Sequence, residues 1–290
     1  MSEAQTIQWF PGHMTRTKRQ IEKSLKMVDI VAEIIDARVP VSSRNPILKK
    51  LIGNKPRLIL MNKSDMADSA ATARWIAYYK QKGVKAIALD CRTGKGVNGF
   101  MPAIREVLQD QIARWEAKGM TGRPIRVMVV GIPNVGKSSL INKMCRGGNA
   151  GKADVQDRPG VTRQNRWFTI GKGFELLDTP GVLWPKFDDP IVGERLAFTG
   201  AVKDDVVDVE SLASRLLEVL QETYPQAMAA RYKLEGMDLS EMQGYELLEL
   251  VGRKRGFLIS GGEINTERAA ITVLDEFRSG KLGKITLELP

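Results

Sequence analysis

Gly131-Ile132-Pro133-Asn134-Val135-Gly136-Lys137-Ser138 constrains the fold more than any other stretch of the chain. The apolar run Ile125 to Val130 leads into it, and Ser139-Leu140-Ile141-Asn142-Lys143 leaves it in helix-forming residues. A strand that ends in a Gly-x4-Gly-Lys-Ser turn and resumes as a helix has the pattern of a phosphate-binding loop. Its glycines let the backbone curl, so that amide N–H groups from Asn134, Val135, Gly136, Lys137, Ser138 and Ser139 surround an anion. Lys137 reaches the terminal phosphates and the Ser138 hydroxyl suits Mg²⁺, while the N-terminal end of the helix adds its dipole.

The flanking sequence supplies a sheet to carry that loop. Asp29 to Ile35, Arg57 to Met61, Val84 to Leu89 and Phe174 to Leu177 are further Val/Ile/Leu-rich runs, as parallel strands covered on both faces require. Helical periods fall between them, over Ser69 to Lys82 and over Val97 to Ala117. Alternating strand and helix predicts an α/β, doubly wound parallel sheet. From about Gly193 the chain turns to helical segments with few strand signals. Two domains are expected: residues 1–190 for the sheet, and a smaller helical C-terminal domain over 191–290.

Two shorter boxes complete a nucleotide site. Asp178-Thr179-Pro180-Gly181 fits the DxxG element, common by chance, but it lies one strand downstream of the phosphate loop. There Asp178 is placed to hold Mg²⁺ through water and the Gly181 N–H to sense the γ-phosphate. Thr162, in Arg158-Pro159-Gly160-Val161-Thr162, is the candidate switch threonine and a third Mg²⁺ contact; the competing reading is a plain Pro-Gly turn. Asn62-Lys63-Ser64-Asp65, at the end of an apolar strand, has the NKxD pattern. The Asp65 carboxylate can accept from both N–H donors on guanine's Watson–Crick edge, and adenine would leave it unsatisfied. The expected substrate is therefore GTP. Asp90-Cys91-Arg92-Thr93-Gly94 follows the next strand, in the place of the last guanine-contacting loop. It departs from the usual Ser-Ala-Lys, so Asp90 and Cys91 are expected to meet the base mainly through backbone.

The guanine-reading box precedes the phosphate loop, the reverse of the usual order. A doubly wound sheet often has neighbouring termini, so joining them and cutting elsewhere preserves the site; Lys118 to Pro124 reads as the join. With boxes in this order the chain resembles the circularly permuted GTPases, and among them the YlqF-like family of bacterial ribosome biogenesis GTPases. The matching residues are Trp9-Phe10-Pro11-Gly12-His13-Met14, Asp36-Ala37-Arg38-Val39-Pro40, Ser43-Arg44-Asn45-Pro46, the three boxes, Leu183-Trp184-Pro185-Lys186-Phe187 and Gly256 to Asn265. The resemblance covers essentially the whole chain. It implies action in late assembly of the large ribosomal subunit, contact with rRNA and a helical C-terminal domain.

The resemblance also bears on hydrolysis. Many small GTPases orient the attacking water with a Gln just after DxxG; here Val182 and Leu183 stand there. The family's Gly-His motif points to His13, the one histidine of the chain, as the group that orients or deprotonates water; a packing or capping histidine is the alternative. The family pattern likewise makes Asn134 a K⁺ ligand, against the simpler reading of a loop-stabilising side chain.

A net charge of +10 and a pI near 9.6 favour a polyanionic partner. Arg16, Lys18, Arg19, Lys23 and Lys26 would lie along one short helix, with Ile21, Leu25 and Met27 as its apolar side, and Arg253-Lys254-Arg255 forms a second cluster. Two cysteines, no apolar run of spanning length and no signal-like N-terminus lead us to expect a cytoplasmic protein without a membrane partner. Rival readings are a tRNA-handling GTPase and a nucleotide-gated RNA-binding module with incidental hydrolysis.

Overall fold

The computed structural model describes residues 11–145, 166–171, 173–179, 181 and 189–290, with side chains from Lys18 onward except that of Val206. Among them lie, in chain order, α1 (Pro11–Leu25), β1 (Ile30–Asp36), α2 (Pro46–Ile52), β2 (Arg57–Asn62), α3 (Ser69–Gln81), β3 (Lys85–Ala88), α4 (Phe100–Val107), α5 (Gln109–Ala117), β4 (Ile125–Val130), α6 (Lys137–Met144), β5 (Arg166–Ile170) and β6 (Phe174–Asp178). The helical part adds α7 (Pro190–Phe198), α8 (Val209–Thr223), α9 (Pro225–Tyr232), α10 (Gly244–Lys254) and α11 (Thr266–Arg278).

The strands form one sheet in the order β3-β2-β1-β4-β6-β5. β1 is buried along its whole length, because it pairs in parallel with β2 on one side and β4 on the other. Side chains alternate between the two faces. Val31, Met128, Val130 and Leu177 pack with Ile21 and Leu25 of α1 and Leu48 and Ile52 of α2. On the same face, Ile35, Ile59, Met61 and Ala86 pack with Trp75 and Tyr79 of α3. On the opposite face, Arg105 of α4 lays its guanidinium 4.9 Å from the centre of the Phe174 ring. The doubly wound expectation therefore holds, with one correction. β5 runs antiparallel to β6, so the sheet is mixed. A short turn suffices for an antiparallel pair, whereas a parallel one needs a long crossover.

Two other expectations change. The helix read over Val97 to Ala117 begins with a 3-10 turn at Val97–Gly99 and kinks at Leu108. Leu108 N still donates to Ile104 O and Ile112 N to Leu108 O, so the ladder passes through the kink. Met27 lies beyond the end of α1 and is exposed, so the apolar side of that helix is Ile21 and Leu25 alone among the residues named.

The chain divides into two compact units: the sheet unit, which takes in Glu288–Pro290, and a helical unit whose described residues run from Asp189 to Leu287. In the helical unit Leu212, Leu216 and Leu220 of α8, Val251 of α10 and Val273 and Phe277 of α11 are buried. Phe198 meets Phe277 edge to face at 6.4 Å. Arg231 and Arg255 both pair with the nearly buried Glu276, which draws Arg255 out of the basic cluster read from sequence. No helix among the described residues is long and apolar enough to cross a membrane.

Candidate nucleotide site

Because β1, β2, β3, β4 and β6 run in parallel, their C-terminal ends share one edge of the sheet, where ligands of open α/β sheets bind. Asp36 ends β1, Asn62 ends β2, Asp90 follows β3, Gly131 follows β4 and Asp178 ends β6. Boxes far apart in sequence thus meet at one place.

Asn62 joins them. Its side chain is 3% exposed. Nδ2 donates to Val135 O of the phosphate loop at 2.7 Å, and Oδ1 accepts from Cys91 N at 2.9 Å. One amide therefore ties the guanine box to the phosphate loop and to the loop after β3. The approach is close enough that Gly136 is required: a Cβ there would stand 2.2 Å from Asn62 Nδ2. Gly136 also has φ +107°, strained for any L side chain.

The phosphate loop closes on its own lysine. Lys137, the first residue of α6, is buried, and its Nζ donates to Ile132 O at 2.6 Å and Gly131 O at 3.2 Å. Burial pulls its pKa down to about 8, against the opposing charge of Asp178. Gly181 packs against the same group, since a Cβ there would lie 2.9 Å from Lys137 Nζ and from Pro133 Cα. Ser138 and Ser139 occupy the first turn of α6. Thr179, which carried no assignment from sequence, donates its hydroxyl to Val129 O at 2.7 Å and fastens the DxxG box to β4.

Asn134 and Lys63 are non-glycine residues with positive φ, 57° and 59°. A left-handed backbone costs such residues about 1–2 kcal/mol, and strain of this kind gathers at functional sites. Lys63 is held by an ion pair: its Nζ lies 3.0 Å from Asp36 Oδ2. The same carboxylate accepts from Arg38 Nε at 2.9 Å and Arg38 Nη2 at 2.8 Å. Burial alone would raise the Asp36 pKa, but Arg38 and Lys63 hold it well below the usual carboxylate range.

Asp65 has one oxygen, Oδ1, shielded from solvent with no hydrogen-bond partner, while Oδ2 meets the mostly exposed Arg92 at 3.1 Å. A shielded carboxylate oxygen that lacks a donor suits a ligand bearing N–H groups. Ser64 N donates to Leu89 O. Asp90 and Cys91 take a supporting place. The Asp90 carboxylate accepts from Arg92 N at 2.8 Å and from the Thr93 hydroxyl, so it is spent on shaping its own loop. Burial would raise its pKa, but these hydrogen bonds hold it down. Cys91 is buried, its N–H is taken by Asn62, and its thiol is pushed up to about 12 by burial. Thr162 and Leu183 to Phe187 lie outside the described residues. His13 falls on α1, and its side chain lies outside the described ones.

No cluster of three or more His, Cys, Asp or Glu side chains that could hold a metal occurs among the described residues. Mg²⁺ at a nucleotide site keeps waters and phosphate oxygens and takes only one or two protein oxygens. Ser138 on α6 and Asp178 at the end of β6 fit that donor set.

Taken from β4 onward and then from β1, the strands follow one another as a P-loop GTPase sheet does, with the antiparallel strand at its edge and the guanine box last. The fold and its boxes define a circularly permuted P-loop GTPase. Residues 126–242 match the family described as 50S ribosome-binding GTPase. The chain is 45% identical over 284 residues to ribosome biogenesis GTPase A of Bacillus cereus, covering 98% of this chain and 94% of that one. It is 33% identical over 302 residues to mitochondrial ribosome-associated GTPase 1 of Xenopus tropicalis, covering 99% and 96%. The structure of GNP-bound YlqF from T. maritima superimposes with a TM-score of 0.67 at 27% identity, over 95% of this chain and 98% of that one. The chain belongs to the ribosome biogenesis GTPase A family, the YlqF proteins, and is a GTP-binding, GTP-hydrolysing enzyme.

Proposed function

We propose that this GTPase is a cytoplasmic assembly factor for the large ribosomal subunit, that it binds rRNA late in maturation and that it leaves on GTP hydrolysis. The observation that carries the reading is likeness across nearly the entire chain to relatives named for ribosome biogenesis. The family description naming the 50S particle points to the large subunit. The basic balance of the chain supports an RNA partner.

In this reading Asp65 accepts from the guanine edge, with Asn62, Lys63 and Ser64 shaping that pocket and Asp90 and Cys91 closing it through backbone. Amides from Asn134 to Ser139 surround the phosphates and Lys137 neutralises their charge. Ser138, Thr162 and Asp178 hold Mg²⁺, which supplies charge neutralisation on the β- and γ-phosphates when bound. The Gly181 N–H reads the γ-phosphate. His13 orients the attacking water once a partner is bound, and Asn134 contributes to a K⁺ site that supplies electrostatically what an arginine finger would.

The test is GTP turnover in KCl buffer with and without purified large subunits, with ATP as control. Stimulation of at least tenfold, confined to GTP and lost in His13→Ala, is expected. Equal turnover in NaCl removes the K⁺ assignment. Absence of stimulation by large subunits removes the subunit as the stimulating partner and leaves a GTP-dependent tRNA-handling factor or a nucleotide-gated RNA-binding module.

A further inference from the structure

The Lys63 ammonium is anchored by Asp36, and Asp36 is anchored by a loop that the far end of the chain holds. Ala37 N donates to Asn62 O at 2.9 Å, so residues after β1 pair directly with the guanine box. Ser43 Oγ accepts from Asp36 N at 3.0 Å and donates to Val39 O at 2.7 Å. Arg38, Ser42, Ser43 and Asn45 are each no more than 2% exposed, so the loop is a packed polar network rather than a solvated connection.

Onto this loop comes Glu288, third from the C-terminus. Its Oε2 accepts from Val41 N at 2.6 Å and from Ser42 N at 3.1 Å, and its Oε1 accepts from the Ser42 hydroxyl. Its backbone oxygen accepts from Nε1 of the buried Trp75 on α3 at 2.8 Å. Val41 and Ser42 thus offer two consecutive backbone N–H groups to one carboxylate, a geometry that favours an anion. The last three residues belong to the sheet unit, although the chain just before them, up to Leu287, belongs to the helical one.

We infer that Glu288 is a positioning residue for guanine recognition: the C-terminal tail clamps the 37–45 loop, the loop fixes Asp36, and Asp36 fixes Lys63 in its left-handed conformation. The carboxylate has its described contacts with Val41 and Ser42, one loop away from Lys63. Its effect therefore falls on nucleotide affinity and not on the chemical step. The inference rests on reading Asn62 to Asp65 as the guanine box.

The experiment measures affinity and dissociation rate of a fluorescent GDP, and kcat at saturating GTP, for the full-length protein and for Glu288→Ala, Glu288→Gln, Lys63→Met and the double variant Glu288→Ala/Lys63→Met. Glu288→Ala is expected to raise Kd three- to tenfold through faster release, with kcat within twofold of the parent. Glu288→Gln, which keeps one acceptor oxygen, is expected to fall between. In the Lys63→Met background the same change is expected to move Kd by less than twofold, because the lysine it positions is gone. A Glu288→Ala protein with unchanged Kd overturns the inference, and so does an undiminished effect in the Lys63→Met background, which would mark general loosening. Asp65→Asn separates the underlying reading: an amide there is expected to shift preference from GTP to xanthosine triphosphate. Retained guanine preference in Asp65→Asn overturns the guanine box, and the inference with it.

Discussion

Lys137 is a cation kept out of water and held by two carbonyl oxygens of its own loop. Its pKa of about 8, against an ordinary 10.5, reflects burial, with Asp178 pulling the other way. For a cation lowered in the folded state, the contribution is destabilising and is fully present below pH 8. It is relieved as pH rises towards 10.5, where the unfolded chain binds more protons than the native one. Nucleotide phosphates favour the charged ammonium, so binding above pH 8 must take up a proton. GTP affinity is accordingly expected to be level near pH 7.5 and to fall by up to about tenfold per pH unit beyond 8, since one unit corresponds to about 1.4 kcal/mol. Calorimetry at pH 8.5 in buffers of different ionisation enthalpy would report the proton. Zero uptake there would mean that Lys137 stays charged without nucleotide.

Between elements, a single side chain sets the geometry of three loops. Asn62→Ala would leave Val135 O and Cys91 N buried without their partner. Each such orphan costs about 1–3 kcal/mol, so urea unfolding is expected to show roughly 2–5 kcal/mol lost, along with weaker GTP binding. A loss under about 0.5 kcal/mol would show that water replaces the amide. The NKxD spacing made Asn62 visible in the sequence, but not its reach to Val135. The buried strands were legible to within a residue or two because continuous Val/Ile/Leu runs have few other uses. β5 was not, since Arg166, Trp167 and Thr169 are exposed and only Phe168 and Ile170 turn inward. The kink at Leu108 was hidden for another reason: Ile112 and Trp115 keep the helical period beyond it, although α5 has no buried residue. The boxes could be read because each is contiguous. The Lys63–Asp36 pair, the Thr179 anchor and the hold of Glu288 on Ser42 join residues that no period or spacing links.

For the whole molecule, permutation places α1 ahead of the guanine box and on the face shared with α2. Ile21 and Leu25 are buried, while Lys18, Arg19, Lys23 and Lys26 are exposed. Lys18, Arg19 and Lys23 of the helix, with Lys26 just past its end, thus turn outward around the exposed Glu22 in a chain of net charge +10. Ion pairs among the described residues involve none of these four side chains, so their charge is available to phosphates. A lysine that contacts a phosphate releases about 0.7–0.9 of a counterion on binding, and log K falls with log salt in proportion. If Lys18 and Lys23 each meet an rRNA phosphate, Lys18→Gln/Lys23→Gln should make that slope shallower by about 1.4–1.8 and weaken subunit binding about tenfold near physiological salt. Sedimentation with large subunits across a salt series at fixed K⁺ and a non-hydrolysable GTP analogue measures both quantities. A weaker complex with an unchanged slope would mean that the lysines act through packing of α1. If neither quantity changes, α1 is not an RNA-facing surface, and Arg253 and Lys254, both exposed, are the next pair to neutralise.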